Sequence, residues 1–180
     1  MGQYANYETL KFERLENNIL KITMNLPETL NAVTETMHHE LSRVFHEVAR
    51  DRDADVVILT GAGRAFSAGG DLKMLEDCAR MGSDYMQVVQ EGVEIIRSIL
   101  QMPQPLIAMV NGPAVGLGCT LALYADIIIA SEKAKFADPH VKMGIVAGDG
   151  GAVIWPLLIG PAKAKEYLLT GRMLSAAEAN

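Results

Sequence analysis

Two stretches of this chain have the residue types to hold a negative charge with backbone alone. Val56-Val57-Ile58-Leu59 is a continuous apolar run, read as a buried strand, and it enters a glycine-rich loop from Gly61 to Gly70. Leu106 to Val110 repeats the arrangement and enters Gly112 to Gly118. Glycines at the start of a helix leave N–H groups bare, with no side chain between them and an anion. Two such turns on neighbouring strands could aim two donors at one oxygen. That is the geometry of an oxyanion hole, in which one donor is worth about 10²–10³ in rate. Ordinary tight turns are the plain alternative. Nucleotide phosphates fit less well. Gly61-Ala62-Gly63 has Phe66 where a dinucleotide fingerprint needs its third glycine, Gly116-Leu117-Gly118 has Leu121 there, and neither stretch carries Gly-Lys-Ser/Thr.

The elements that must position these loops are legible from periodicity. Residues 9–24 read as a hairpin turning at Asn17-Asn18. Residues 34–50 read as a helix with Met37, Leu41, Val44, Phe45 and Val48 on one face. A longer helix is expected near 84–102, ended by Pro103 and Pro105. Ile127-Ile128-Ile129 reads as a third short strand, Pro161 opens a helix and Gly171 closes it. Strand–loop–helix units with continuous apolar strands indicate an α/β protein with a largely parallel sheet covered on both faces. Asp71 is placed to cap the helix after the first loop. Ser175-Ala176-Ala177-Glu178 is a capping box, and the sequence stops two residues later. A helix that short cannot stand alone, so the expectation is a single core domain over 1–180, truncated at its C-terminus.

Composition narrows the class. With 180 residues, 49% hydrophobic and 21% charged, the chain suits one globular domain. The formal net charge of −6 lacks the basic field that non-specific nucleic-acid binding needs. No apolar run reaches the length of a membrane span, and the first 20 residues show no signal-peptide core. Cys78 and Cys119 fit no metal-ligand spacing, and Glu76 and Asp77 have no metal-like companions. The expectation is a cytoplasmic protein without a metal, with neither nucleic acid nor membrane as partner.

The residues themselves carry a resemblance. Ala65-Phe66-Ser67-Ala68-Gly69-Gly70-Asp71-Leu72 resembles the first signature of the enoyl-CoA hydratase/isomerase (crotonase) family. Val110-Asn111-Gly112-Pro113-Ala114-Val115-Gly116-Leu117-Gly118-Cys119, with Ala125-Asp126-Ile127 beyond it, resembles the second. Lys133-Ala134-Lys135-Phe136 with Pro139 and Gly144 resembles the third, and Leu26-Pro27 to Asn31-Ala32 an early segment. The resemblance implies a crotonase-like spiral of β-β-α units whose C-terminal helical part is missing. It also implies an acyl-coenzyme A thioester whose oxygen is held by the N–H groups of Ala68 and Leu117. Ala65, Phe66, Ala68, Gly69, Asp71, Gly116 and Thr120 would line the substrate and coenzyme A site. Leu117 and Trp155 are candidates to shape the acyl pocket. No permanently bound cofactor is implied, since coenzyme A arrives with the substrate. Trimers or hexamers would follow if the C-terminal helices are present.

The sequence departs from the hydratase pattern at two points. The family's two glutamates correspond to Thr120 and His140 here. A hydroxyl is no base at neutral pH, whereas imidazole titrates near it. Asp149, nine residues beyond His140, could orient it as a base-and-carboxylate pair. The pair resembles that of crotonase-family β-diketone hydrolases of the 6-oxocamphor hydrolase type, although a further histidine of that group falls at Leu117. Three expectations follow: catalysis on an acyl-CoA enolate, carbon–carbon hydrolysis of a β-dicarbonyl, or coenzyme A binding without catalysis. Asp126 reads as structural, His38, His39 and His46 as solvated, and Glu94 as surface. Glu91 has no partner that the sequence names.

Overall fold

The computed structural model describes residues 4–71, 73, 74 and 85–180. Residues 1–3, Glu76, Asp77 and Cys78 lie outside that range. Strands β1 (Leu10–Leu15) and β2 (Ile19–Met24) form the expected antiparallel hairpin. Asn17 and Asn18 adopt φ of 60° and 55°, left-handed values that asparagine tolerates and a two-residue hairpin turn requires. Helix α1 (Glu35–Val48) follows, capped by Thr34, whose side chain accepts from Met37 N–H. Strand β3 (Val56–Gly61) leads through the first glycine-rich loop towards α2 (Tyr85–Gln101). Strands β4 (Leu106–Val110) and β5 (Pro113–Val115) lead into α3 (Leu117–Leu123). Strands β6 (Ile127–Ala130) and β7 (Lys135–Ala137) lead through a 3-10 turn, His140–Met143, into α4 (Gly151–Ile159) and α5 (Pro161–Thr170). A two-residue strand, β8 (Leu174–Ser175), and α6 (Ala176–Ala179) end the chain, with the capping box of Ser175 and Glu178 formed on both sides.

Successive turns of chain therefore contribute to two sheets. The larger has the order β1-β2-β3-β4-β6, and every pairing after the first hairpin is parallel. The smaller has the order β5-β7-β8, and Ser67 of the first loop bridges to Ala114 of β5. This β-β-α spiral is the expected architecture.

One face of the large sheet forms the core. Leu20, Ile22, Met24, Val57, Leu59, Leu106 and Ala108 are fully buried there, together with Met37, Leu41, Val44 and Phe45 of α1. Each large side chain so buried contributes roughly 1.5–3 kcal/mol of transfer free energy. The edge strand β6 departs from the expectation of a covered sheet. Ile127 and Ile129 are 51% and 58% exposed, and Met109 beside Ile129 is 40% exposed. Exposure runs along the whole of β6, Ile128 at 37% included, so the uncovered apolar surface lies at this edge strand. Among the described residues no helix is long and apolar enough to cross a membrane.

Of the α1 histidines, His39 is solvated as expected, with 62% of its side chain exposed, while His38 differs from expectation. His38 is buried, with Nδ1 2.9 Å from Glu91 Oε2, and His39 Nδ1 lies 3.0 Å from Glu91 Oε1. His46 Nε2 pairs with Glu94, which Arg97 also holds. Packing of α2 along α1 brings these carboxylates over a face that periodicity alone leaves to solvent. Asp126 is structural as expected: its Oδ2 accepts from Leu106 N–H at 2.8 Å.

Candidate functional site

The first glycine-rich loop is pinned by two asparagines. Asn31, fully buried, donates from Nδ2 to Ala62 O and Ala65 O at 2.9 Å each. Asn111 donates to Gly63 O at 2.9 Å and to Ala65 O at 3.2 Å. Phe66 N–H and Ser67 N–H both donate to Pro113 O, and Val115 N–H returns to Ser67 O at 2.9 Å. The two loops thus run side by side. A methyl built on Gly69, which has φ of 86°, would lie 2.8 Å from Val115 O, so only glycine fits that crossing.

This packing decides which N–H groups are free. Ala68 N–H donates to Leu30 O at 2.9 Å, so the expected oxyanion donor is already spent. Leu30 sits in a left-handed conformation, φ 58°, at the end of a short 3-10 turn. Gly69 N–H is used by Ser67 Oγ at 3.2 Å, and Asp71 N–H by Val33 O at 3.0 Å. Among the described residues Gly70 N–H has no acceptor. On the second loop Gly116 N–H donates to Ala137 O, while Leu117, the first residue of α3, has no acceptor for its N–H among the described residues. Gly70 and Leu117 thus keep N–H groups free among the described residues, where the N–H of Ala68 is spent.

Several groups of the first loop expected at coenzyme A are hydrogen-bonded within the fold. Ala65 O, Phe66 N–H and Ala68 N–H are all used internally, and the Phe66 ring belongs to the core. Asp71 acts as the expected cap, its Oδ1 accepting from Met74 N–H at 3.1 Å. Trp155 is 3% exposed and packs against the Tyr167 ring at 5.7 Å, a core contact.

His140 stands beside the second loop. A methyl built on Gly116, φ 52°, would stand 3.9 Å from His140 Cε1 and 3.7 Å from Gly69 Cα. The imidazole therefore adjoins both crossings. Its Nδ1 is hydrogen-bonded to Asp138 Oδ1, and its Nε2 lies 3.6 Å from Asp149 Oδ2. Asp149 is turned by its own loop: Oδ1 accepts from Thr120 Oγ1 at 3.2 Å and from Gly151 N–H at 3.3 Å. Tyr124 O–H donates to Gly150 O and holds the same turn. Sequence reasoning brought His140, Asp149 and Thr120 together but missed Asp138. The carboxylate hydrogen-bonded to the ring is Asp138, where the sequence points to Asp149 as the orienter. The available signal was Asp-Pro-His, a carboxylate two residues before the ring on a proline-stiffened turn.

The electrostatics are those of a buried set. Asp138 is 1% exposed, and its Oδ2 and Asp149 Oδ2 have no hydrogen-bond partner among the described residues. Burial opposes a charge on His140, but the Asp138 hydrogen bond and the charges of Asp149 and Asp138 outweigh it. His140 is thereby held above the ordinary imidazole value. Burial raises Asp149, the His140 charge lowers it and Asp138 raises it again; the result lies above the usual carboxylate range. Donor atoms of Asp138, His140 and Asp149 lie within 4.8 Å of one another. Nδ1 is hydrogen-bonded to Asp138, whereas Nε2 stands beyond hydrogen-bond distance of Asp149 Oδ2.

A family model described as enoyl-CoA hydratase/isomerase matches residues 14–180. The chain belongs to the enoyl-CoA hydratase/isomerase family. It is similar to a crystal structure of an enoyl-CoA hydratase/isomerase from Mycobacterium paratuberculosis, at TM-score 0.92 and 40% identity, covering 97% of this chain and 70% of that one. It is 36% identical over 168 residues to the 1,2-epoxyphenylacetyl-CoA isomerase of Escherichia coli K12, covering 92% of this chain and 64% of the relative. It is 34% identical over 174 residues to the crotonyl-CoA hydratase of Syntrophomonas wolfei, covering 96% of this chain and 66% of the relative. The chain thus spans about two thirds of these curated relatives' lengths.

Proposed function

We propose that this enoyl-CoA hydratase/isomerase-family chain binds an acyl-CoA thioester and stabilises its enolate. The observation that carries the reading is the pair of free N–H groups, Gly70 and Leu117, on adjoining crossings with His140 beside them. A thioester oxygen received by both donors acquires negative charge at lower cost, and His140 then moves a proton at the carbon next to the carbonyl. Names of relatives such as crotonyl-CoA hydratase and 1,2-epoxyphenylacetyl-CoA isomerase support a CoA ester as substrate. Thr120 and His140 stand where the hydratase pattern has glutamates, so the proton chemistry falls to His140 and Asp149.

The test is product analysis by mass spectrometry in ¹⁸O-labelled water, with 2-enoyl-CoA and β-ketoacyl-CoA thioesters offered together. One labelled oxygen added to an intact enoyl chain supports hydration. A shortened acyl-CoA with a labelled carboxylate released would replace hydration by carbon–carbon hydrolysis. Tight binding of CoA esters with no turnover and no exchange at the α-carbon would overturn the catalytic reading.

A further inference from the structure

The placing of Asp138 says more about His140 than a partner for one nitrogen. A neutral imidazole has one N–H and one lone pair. Here both nitrogens face carboxylate oxygens, Nδ1 at Asp138 and Nε2 at Asp149. Either neutral tautomer would turn a lone pair on one of those oxygens. With both carboxylates ionised, only the doubly protonated ring turns an N–H to each, hydrogen-bonded to Asp138 and 3.6 Å from Asp149.

We infer that Asp138 is a positioning residue that holds His140 as an imidazolium, so that Nε2–H is the site's proton donor and Asp149 its base. The inference rests on the enolate reading above and divides the labour within it. Asp138 is well made for the task. It follows β7 directly, precedes Pro139, and is buried; its Oδ1 also lies 3.4 Å from the backbone N–H of His140. Its Oδ2 faces Gly151, the first residue of α4, so closely that a Cβ there would collide with it. The positive end of that helix offsets part of the cost of the buried charge.

The surroundings supply no competing cation within salt-bridge distance among the described residues. From α3, Cys119 and Tyr124 lie near Asp149, and Thr120 donates to it. Lys142, on the turn that carries His140, lays its stem against Gly171. Among the described residues, His140 is thus the one positive group paired with these two carboxylates.

For water addition to a 2-enoyl thioester the atoms balance as follows. The water oxygen bonds to the β-carbon while its proton passes to Asp149 Oδ2. The C=C electron pair moves through the α-carbon to the carbonyl oxygen, which the Gly70 and Leu117 N–H groups receive. The enolate then takes the Nε2 proton at the α-carbon. The proton on Asp149 returns to Nε2 across the 3.6 Å that separate them, restoring the site with one water added.

The test reads protonation directly and needs no substrate. In ¹⁵N-labelled protein, His140 is assigned by the signals that vanish in His140→Gln, and the other histidines, His38, His39 and His46, serve as internal controls. At pH 7 both His140 ring nitrogens are expected to carry protons. In Asp138→Asn the His140 midpoint falls, kcat falls by about 10²–10⁴ with KM nearly unchanged, and its pH profile moves with the midpoint. Asp138→Glu restores part of both. A single proton on the wild-type ring at pH 7, or an unmoved midpoint in Asp138→Asn, overturns the inference. Should Asp138→Asn fail to fold, the wild-type ¹⁵N spectrum alone decides. If the ring titrates as expected but no thioester is turned over, the clamp stands and the enolate reading falls.

Discussion

Histidine meets carboxylate in two regions of this chain, and they differ in what is left unpaired. Between α1 and α2, Glu91 gives one oxygen to His38 and the other to His39, with Gln87 also reaching it at 3.4 Å. Beside the glycine crossings, Asp138 and Asp149 each keep a buried oxygen without a partner among the described residues. Buried polar atoms are nearly always satisfied in folded proteins, so a cluster of unsatisfied ones calls for a role beyond stability. The helix pair is a fastening; the His140 set is poised for something that arrives.

The largest expected contrast is catalytic. His140→Gln should lower turnover by about 10²–10⁴, and His38→Gln should leave turnover within about twofold. Steady-state kinetics on a responsive acyl-CoA checks both, and equal losses would erase the distinction between the regions.

The next contrast is in stability. His38→Ala removes a buried partner of Glu91 and should cost about 1–3 kcal/mol in chemical denaturation. Asp149→Asn should do the reverse. Burial holds the Asp149 carboxyl above its ordinary value, so its ionised form is penalised in the fold once pH exceeds the unfolded value of about 3.9. The neutral amide should raise Tm by no more than about 2–4 °C, the shift that roughly 1 kcal/mol makes at this size, while turnover collapses. A lower Tm would mean that Asp149 serves the fold.

The two regions should also lose stability at opposite ends of the pH scale. Burial works against the Glu91 charge, but hydrogen bonds from His39, His38 and Gln87 hold its carboxyl below the ordinary value. Its contribution is therefore present above about pH 4.3 and lost as pH falls through the folded value. The His140 contribution is present below about pH 6.5 and lost as pH rises through its raised folded value. A Tm-versus-pH curve should lose its acid limb selectively in Glu91→Gln and flatten on the alkaline side in His140→Gln. The smallest effect is at the outer end of the helix pair: Glu94→Gln should leave Tm within measurement scatter, since an exposed ion pair with His46 and Arg97 adds little.

Much of this was legible in the sequence, and the misses share a cause. Strand, glycine loop and helix follow from local patterns, and so does the neighbourhood of His140, Asp149 and Thr120. The donor assignment failed at Ala68 because its N–H competes for Leu30 O, a carbonyl from a distant turn whose left-handed geometry no local pattern displays. His38 differs from its expected solvation because polar spacing on α1 says nothing about the carboxylate that α2 brings to it. Asp138 is adjacent in sequence, but only the 3-10 turn after Pro139 folds its carboxylate back onto the ring.

The central claim is that the Gly70 and Leu117 N–H groups and His140 together lower the cost of an enolate. Hydrogen exchange at the α-carbon tests it without presuming the final product. Butyryl-CoA would be incubated with the protein in deuterium oxide and the acyl chain analysed by NMR. Deuterium entering the α-position with wild-type protein, and at least about 10²-fold more slowly with His140→Gln, is the predicted result. No exchange above the uncatalysed rate, in protein shown to bind the thioester, would contradict the account.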